Sequence, residues 1–173
     1  MTSPLPMHPE PIIPASYWVT DTLAAGQYPG SKDAEETTAK VARFVEGGVT
    51  TFVDLTHRWD RMEPYEQLLT TQTRLHFPIV DNDVPTADEM TTILDAIDTA
   101  LEHDEAVYVH CWGGHGRTGT VIGCWLVRHG ATPDEAIALI RERRRALPVF
   151  RANPLSPQTR PQHAFVHAWS SRK

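Results

Sequence analysis

Residues 109–119 read VHCWGGHGRTG, with Cys111 and Arg117 at either end of a loop that carries Gly113, Gly114 and Gly116. A thiol and a guanidinium held by a glycine-rich loop point to chemistry on an oxyanion. The apolar run after Arg117 predicts a helix starting there, and a helix N-terminus offers unpaired N–H groups and a partial positive charge. Glycines let the loop turn further N–H groups inward and let a ligand approach the backbone closely. Arg117 adds a planar fork for two oxygens of one phosphate. Cys111 at the rim of such a nest is where a thiolate is favoured. The set suits attack of sulfur on phosphorus and a covalent cysteinyl-phosphate. A nucleotide-binding loop is excluded, because G-x-x-x-x-G-K-[ST] is absent and no lysine lies within the stretch.

His110-Cys111, five residues, then Arg117-Thr118 resembles the HC-x5-R-[ST] signature of the cysteine-based protein tyrosine phosphatase superfamily. The longer form HCWGGHGRTG resembles its dual-specificity branch. Residues 76–120 are similar to the matching segment of the cyclin-dependent-kinase-associated dual-specificity phosphatases. The resemblance implies an aspartic acid on a separate loop, about thirty residues before the cysteine, as general acid. FPIVDNDVPT supplies Asp81 and Asp83, and the pattern favours Asp81. It also implies that Thr118 donates to the sulfur and that His110 orders the loop. Gln158 and Gln162 are candidates for placing the hydrolytic water. The implied activity is hydrolysis of phosphotyrosine, and beyond it phosphoserine and phosphothreonine, in proteins.

Trp112 and His115 hold variable positions of the signature. Branches that act on inositol lipids carry basic residues there, so the resemblance favours a protein substrate. The same chemistry on an inositol phosphate, a phospholipid or an RNA 5′-phosphate stays open, as does a phospho-ligand-binding module without turnover. Trp112 either stacks on an aromatic substrate or packs the loop wall, and Gly113 reads as a tolerated variable position. Asp-Asn-Asp-Val-Pro is equally a good Asx turn. His163 and His167 stand four apart without a third ligand at metal-site spacing, so neither a metal nor a cofactor is expected. RERRR at 141–145 reads as a solvated helix face, Cys124 as core, and HRWDR at 57–61 as a segment able to line the cleft mouth.

The elements that must hold these residues follow from periodicity. VTTFVDL, RLHFPIV and AVYVH predict buried or short edge strands, and YWVTDTLAAGQYPGS a hairpin. Ser31 is a candidate cap for a helix turning Ala34, Val41, Phe44 and Val45 inward. Thr86 with Glu89, and Thr132 with Pro133 and Glu135, mark two further helix starts. A last helix is expected from Ser156-Pro157. Strands alternate with helices, which predicts an α/β fold: a mixed, mostly parallel sheet of four to five strands flanked by helices, as the phosphatase resemblance also implies. The site would lie at the carboxyl ends of the strands.

With 173 residues, one catalytic domain over 15–173 is expected after a proline-rich arm at 1–14. Net charge −6 disfavours nucleic acid and anionic membranes as partners, and leaves a phosphorylated protein or small phosphoester. Two cysteines, no spanning segment and no leader layout make the cytoplasm the expected compartment.

Overall fold

The computed structural model describes residues 10–169. Ten elements carry the architecture: β1 Ser16–Trp18, β2 Leu23–Gly26, α1 Ala34–Glu46, β3 Thr51–Asp54, β4 Thr73–His76, α2 Ala87–Glu102, β5 Val107–His110, α3 Arg117–Arg128, α4 Pro133–Arg145 and α5 Arg160–Trp169. Single 3-10 turns occupy Arg58–Asp60, Glu66–Leu68 and Pro148–Phe150.

The strands form one sheet in the order β1-β2-β5-β3-β4. β1 and β2 are the expected antiparallel hairpin, and the other three pairings are parallel. Alternation along each strand sorts the core into two layers. Leu23, Ala25, Val53, Val107 and Val109 face α2, α3, α4 and α5, while Ala24, Phe52 and Tyr108 face Val41 and Phe44 of α1. Part of the proline-rich arm falls within the described residues. There Ile13 is buried beneath α1's layer and the Glu10 carbonyl accepts from the Trp18 indole at 3.3 Å; residues 1–9 lie outside the described region.

The parallel register aligns the strand ends. Gly26, His110, Asp54 and His76 stand side by side, so the loops after β2, β5, β3 and β4 leave the sheet from one edge. α3 enters from that edge. It is buried along almost its whole length and packs on α2, α4 and α5.

Both expected capping boxes form. The Thr86 and Thr132 hydroxyls accept from the amides of Glu89 and Glu135 at 3.2 Å, and each glutamate returns the bond. Three expectations are corrected. Asp33, not Ser31, caps α1, because its carboxylate reaches the Glu36 amide at 2.8 Å while the Ser31 hydroxyl is engaged by the Asp33 amide. Ala34 and Val45 lie on the outer face of α1 rather than in the core. α5 begins at Arg160, since residues 156–159 form an irregular turn held by the side chain of Gln162.

Among the described residues no helix is long and apolar enough to cross a membrane.

Phe52 is fully buried in β3, an interior strand, among Phe44, Tyr65 and Tyr108. Phe52→Ala is expected to lower unfolding stability by about 3–5 kcal/mol, read from urea denaturation midpoints.

Candidate active site

In a trans peptide the C=O of one residue and the N–H of the next point in opposite directions. Fixing a loop's carbonyls outward therefore turns its amides inward. The Trp112 carbonyl accepts from the Tyr28 amide at 2.9 Å, that of Gly114 from Arg144 Nη1 at 2.7 Å, and that of His115 from the Ser156 hydroxyl at 2.6 Å. The Gly116 carbonyl is taken by the Thr120 hydroxyl and amide. Gly114 sits at φ +74, and a Cβ there would run into the backbone of Gly26 and Gln27. Only glycine fits so tight a turn. The loop ends at α3, whose N-terminus has no capping side chain at Gly116, unlike α1, α2 and α4. Its open amides add to the inward-facing set.

A cavity of about 330 Å³ lies against this loop, lined by Gln27, Asp81, Cys111, Trp112, Gly113, His115, Gly116 and Gln158. Cys111, at the carboxyl end of β5, is 3% exposed. Trp112 stands at the rim, 44% exposed, with Lys32 Nζ 5.9 Å from its ring centroid. Asp81 and Asp83, inseparable by type, are separated by position. Asp81 faces the cavity and lies 3.3 Å from Arg117 Nη2, whereas the Asp83 carboxylate accepts from the Val84 amide and is absent from the wall.

Several expected roles change. Arg117 is not an open fork. Its guanidinium is buried, with Nη1 and Nη2 on the two carboxylate oxygens of Asp60 at 2.7 and 3.2 Å and Nη1 on the Ile79 carbonyl at 2.9 Å. It reaches the cavity at Asp81, and its buried Nε has no hydrogen-bond partner among the described residues. Gly114 is not on the cavity wall, being turned against Gly26. Gly113 is more than a tolerated position, because a Cβ there would come within 2.8 Å of the His115 ring. Gln162 is buried and cannot place a water in the cavity. Its Oε1 accepts from the amides of Gln158 and Thr159, its Nε2 donates to the Asp83 carbonyl at 3.2 Å, and it abuts Gly116. Gln158 does line the cavity. The Thr118 hydroxyl is buried in the first turn of α3 without a partner among the described residues.

Residues 24–131 match the family described as "Tc-R-P: Polymorphic toxin system, DSP-PTPase phosphatase". The chain belongs to the dual-specificity branch of the cysteine-based protein tyrosine phosphatase superfamily. It is 31% identical over 133 residues to a protein of Invertebrate iridescent virus 3 that carries a tyrosine phosphatase designation, covering 73% of this chain and 52% of that one. To the dual specificity protein phosphatase CDC14B of Mus musculus it is 33% identical over 99 residues, 57% of this chain and 19% of the relative. The chain spans about half the length of the first relatives it matches. Among solved structures, Tk-PTP in its active form superposes with a TM-score of 0.75 at 24% identity, covering 92% of this chain and 99% of that one. Kinase associated phosphatase gives 0.70 at 20%, covering 87% and 86%. These two establish the phosphatase fold.

Within this dual-specificity scaffold His110 is wholly buried beside Tyr65, 2.7 Å from Nε2 to the phenol oxygen. Burial holds the Tyr65 phenol well above its ordinary range, so it stays a neutral hydroxyl. The Cys111 carbonyl, 3.2 Å from Nδ1, can only accept, so Nδ1 carries the proton, another outward tie on the loop, and Nε2 of the neutral ring accepts from Tyr65. Burial depresses the His110 pKa below 6.5, outweighing the pull of Asp54. Asp54 itself is pushed up by burial, but His110, the Thr56 hydroxyl and amide, and Arg74 together hold it below the usual carboxylate range. Burial also lowers His115, with Arg144 adding to the effect.

Two residues of the site lie outside the ten-residue signature. Asp60 sits in the HRWDR segment read as cleft lining, and nothing in its spacing announces a bond to Arg117. Arg144 lies in RERRR, read as solvated, yet it is fully buried. Its signal was available: it continues the apolar stripe Ala136, Ile137, Ile140 at helical spacing.

A depressed histidine costs stability on the acid side. Above pH 6.5 His110 is neutral whether folded or not. As pH falls below 6.5 the unfolded chain takes up the proton first, and stability drops until the lower folded pKa is passed. His110→Gln is expected to flatten the decline of melting temperature over that window, measured by calorimetry against the parent protein.

Proposed function

We propose that this chain hydrolyses phosphomonoesters of protein tyrosine, and beyond it serine and threonine, through a cysteinyl-phosphate intermediate. The observation that carries the reading is that Cys111 and Asp81, from two separate loops, face one cavity whose inner wall is the amide-bearing loop. The phosphate would enter over the loop amides, take over the Arg117 contact now held by Asp81, and meet the free Nε of the same guanidinium. Arg117 stays charged, because Asp60, Cys111 and Asp81 outweigh the burial that works against its charge.

Cys111 Sγ then attacks phosphorus. The S–P bond forms as the P–O bond to the leaving group breaks, and Asp81 gives its proton to the departing oxygen. In the second half Asp81 takes a proton from water, whose oxygen attacks phosphorus, and sulfur leaves as thiolate. In this reading Gln158, which lines the cavity, holds that water, and the Thr118 hydroxyl donates to the departing sulfur. The charge spread over the three phosphoryl oxygens meets the loop amides and the guanidinium, while the charge developing on the leaving oxygen is met by the Asp81 proton.

The preference for protein monoesters over polyphosphorylated headgroups rests on the two variable loop positions. Trp112 is uncharged, and burial with Arg144 keeps His115 neutral at physiological pH. Neither supplies the cation that a second or third phosphate would need. An exposed indole at the rim suits an aromatic side chain instead.

Turnover of p-nitrophenyl phosphate is expected in the presence of EDTA, since each group named is a side chain of this chain. Cys111→Ser should abolish it, and Asp81→Asn should lower kcat by about 10²–10⁴-fold while leaving vanadate binding. Asp83→Asn should leave kcat near the parent value. Retained turnover in Cys111→Ser, or faster release from a phosphoinositide than from a matched phosphotyrosine peptide, would overturn the reading.

A further inference from the structure

Arg144 ends the apolar stripe of α4, and its side chain is fully buried behind the 111–116 loop. The guanidinium lies 3.8 Å from the centroid of the Phe150 ring. Nη1 donates to the Gly114 carbonyl at 2.7 Å, Nε to the Pro154 carbonyl at 3.2 Å, and Nη2 to His115 Nδ1. All three acceptors are uncharged. No carboxylate among the described residues pairs with this arginine, and an unpaired buried cation is costly to a fold.

The surroundings therefore matter. Four neighbours face the guanidinium: Tyr17 from β1, Cys111 and His115 from the loop, and Phe150 from the 3-10 turn. Phe150 carries no charge. Burial pushes the Tyr17 phenol up to about 12, so it stays neutral. His115 is held neutral, and Nη2 on its Nδ1 places its proton on Nε2. Burial works against the charge of Arg144, and the two neighbours that favour it are Tyr17 and Cys111. Of these four, Cys111 is the one that acts as an anion in the proposed reaction.

We infer that Arg144 is a positioning residue of the reaction, clamping the loop from the rear and serving as the buried cation whose counter-ion is the anion at the loop: the Cys111 thiolate, and a phosphate bound over it. The fork turns the Gly114 carbonyl out and so the His115 amide in. The charge acts through the loop without touching substrate. This deepens the proposed hydrolase reading and rests on the same site.

Two variants separate clamp from charge. Arg144→Met removes both; Arg144→Lys keeps the charge but cannot bridge three acceptors at once. The readouts are calorimetric binding of inorganic phosphate and the rate of iodoacetamide alkylation at neutral pH, followed on the Cys111 peptide by mass spectrometry. Arg144→Met is expected to bind phosphate about tenfold or more weakly and to be alkylated several-fold more slowly. Arg144→Lys should recover much of the alkylation rate but not the phosphate affinity, a split that simple destabilisation would not produce. A folded Arg144→Met protein within about twofold of the parent in both measurements overturns the inference. If that variant does not fold, Arg144→Lys decides: phosphate bound as tightly as by the parent overturns it. Neither measurement requires turnover. A chain inert toward every phosphoester, yet losing phosphate affinity on Arg144 substitution, would refute the hydrolase reading and with it the reaction role, while leaving the clamp and its hold on a bound anion standing.

Discussion

The site depends on how a handful of peptide planes are oriented. Residues 111–116 have no regular hydrogen-bonding partner strand, so each carbonyl must be satisfied individually. His110, Tyr28, Arg144, Ser156 and Thr120 supply the donors for Cys111, Trp112, Gly114, His115 and Gly116. They come from β5, the turn after β2, α4, the segment before α5, and α3. The anion-binding surface is thus made indirectly: the fold binds the carbonyls, and planarity presents the amides to the cavity. Preorganisation of this kind works because no dipole must rotate when charge develops.

Charge is handled locally. The chain is acidic overall, with net charge −6, yet two guanidinium groups lie buried at the loop. Arg117 is balanced by Asp60 in a two-pronged pair and bridged to Asp81, which links the loop after β3 to the loop after β4 through one side chain. Arg144 has only neutral acceptors. A dianion arriving at this cavity meets two fixed cations and a row of dipoles, and long-range net charge has little bearing on that encounter.

Much of this was legible in the sequence, and the limits have physical causes. The thiol, glycines and arginine at 111–117 declared themselves because one strand-loop-helix unit holds them, so sequence spacing maps onto geometry. The same holds for the two Thr-x-x-Glu capping boxes. Asp81 against Asp83 needed the turn itself, since a two-residue shift reverses which carboxylate meets the cavity. Asp60 escaped because it lies 57 residues from Arg117, and β3 and β5 become neighbours only in the folded sheet. Arg144 was masked by composition: four arginines in five residues look solvated, and only the phase of the α4 stripe singles one out. By type Gln162 is as good a candidate for water placement as Gln158, but burial and three backbone bonds commit its amide elsewhere.

That commitment couples distant parts of the chain. One buried amide on α5 holds the turn before that helix, the Asp83 carbonyl and the back of Gly116 at the same time. The ten-residue signature is therefore not portable alone. Transplanted onto another parallel sheet without α4 and residues 154–162, it would bring the thiol and leave behind the donors that orient its loop.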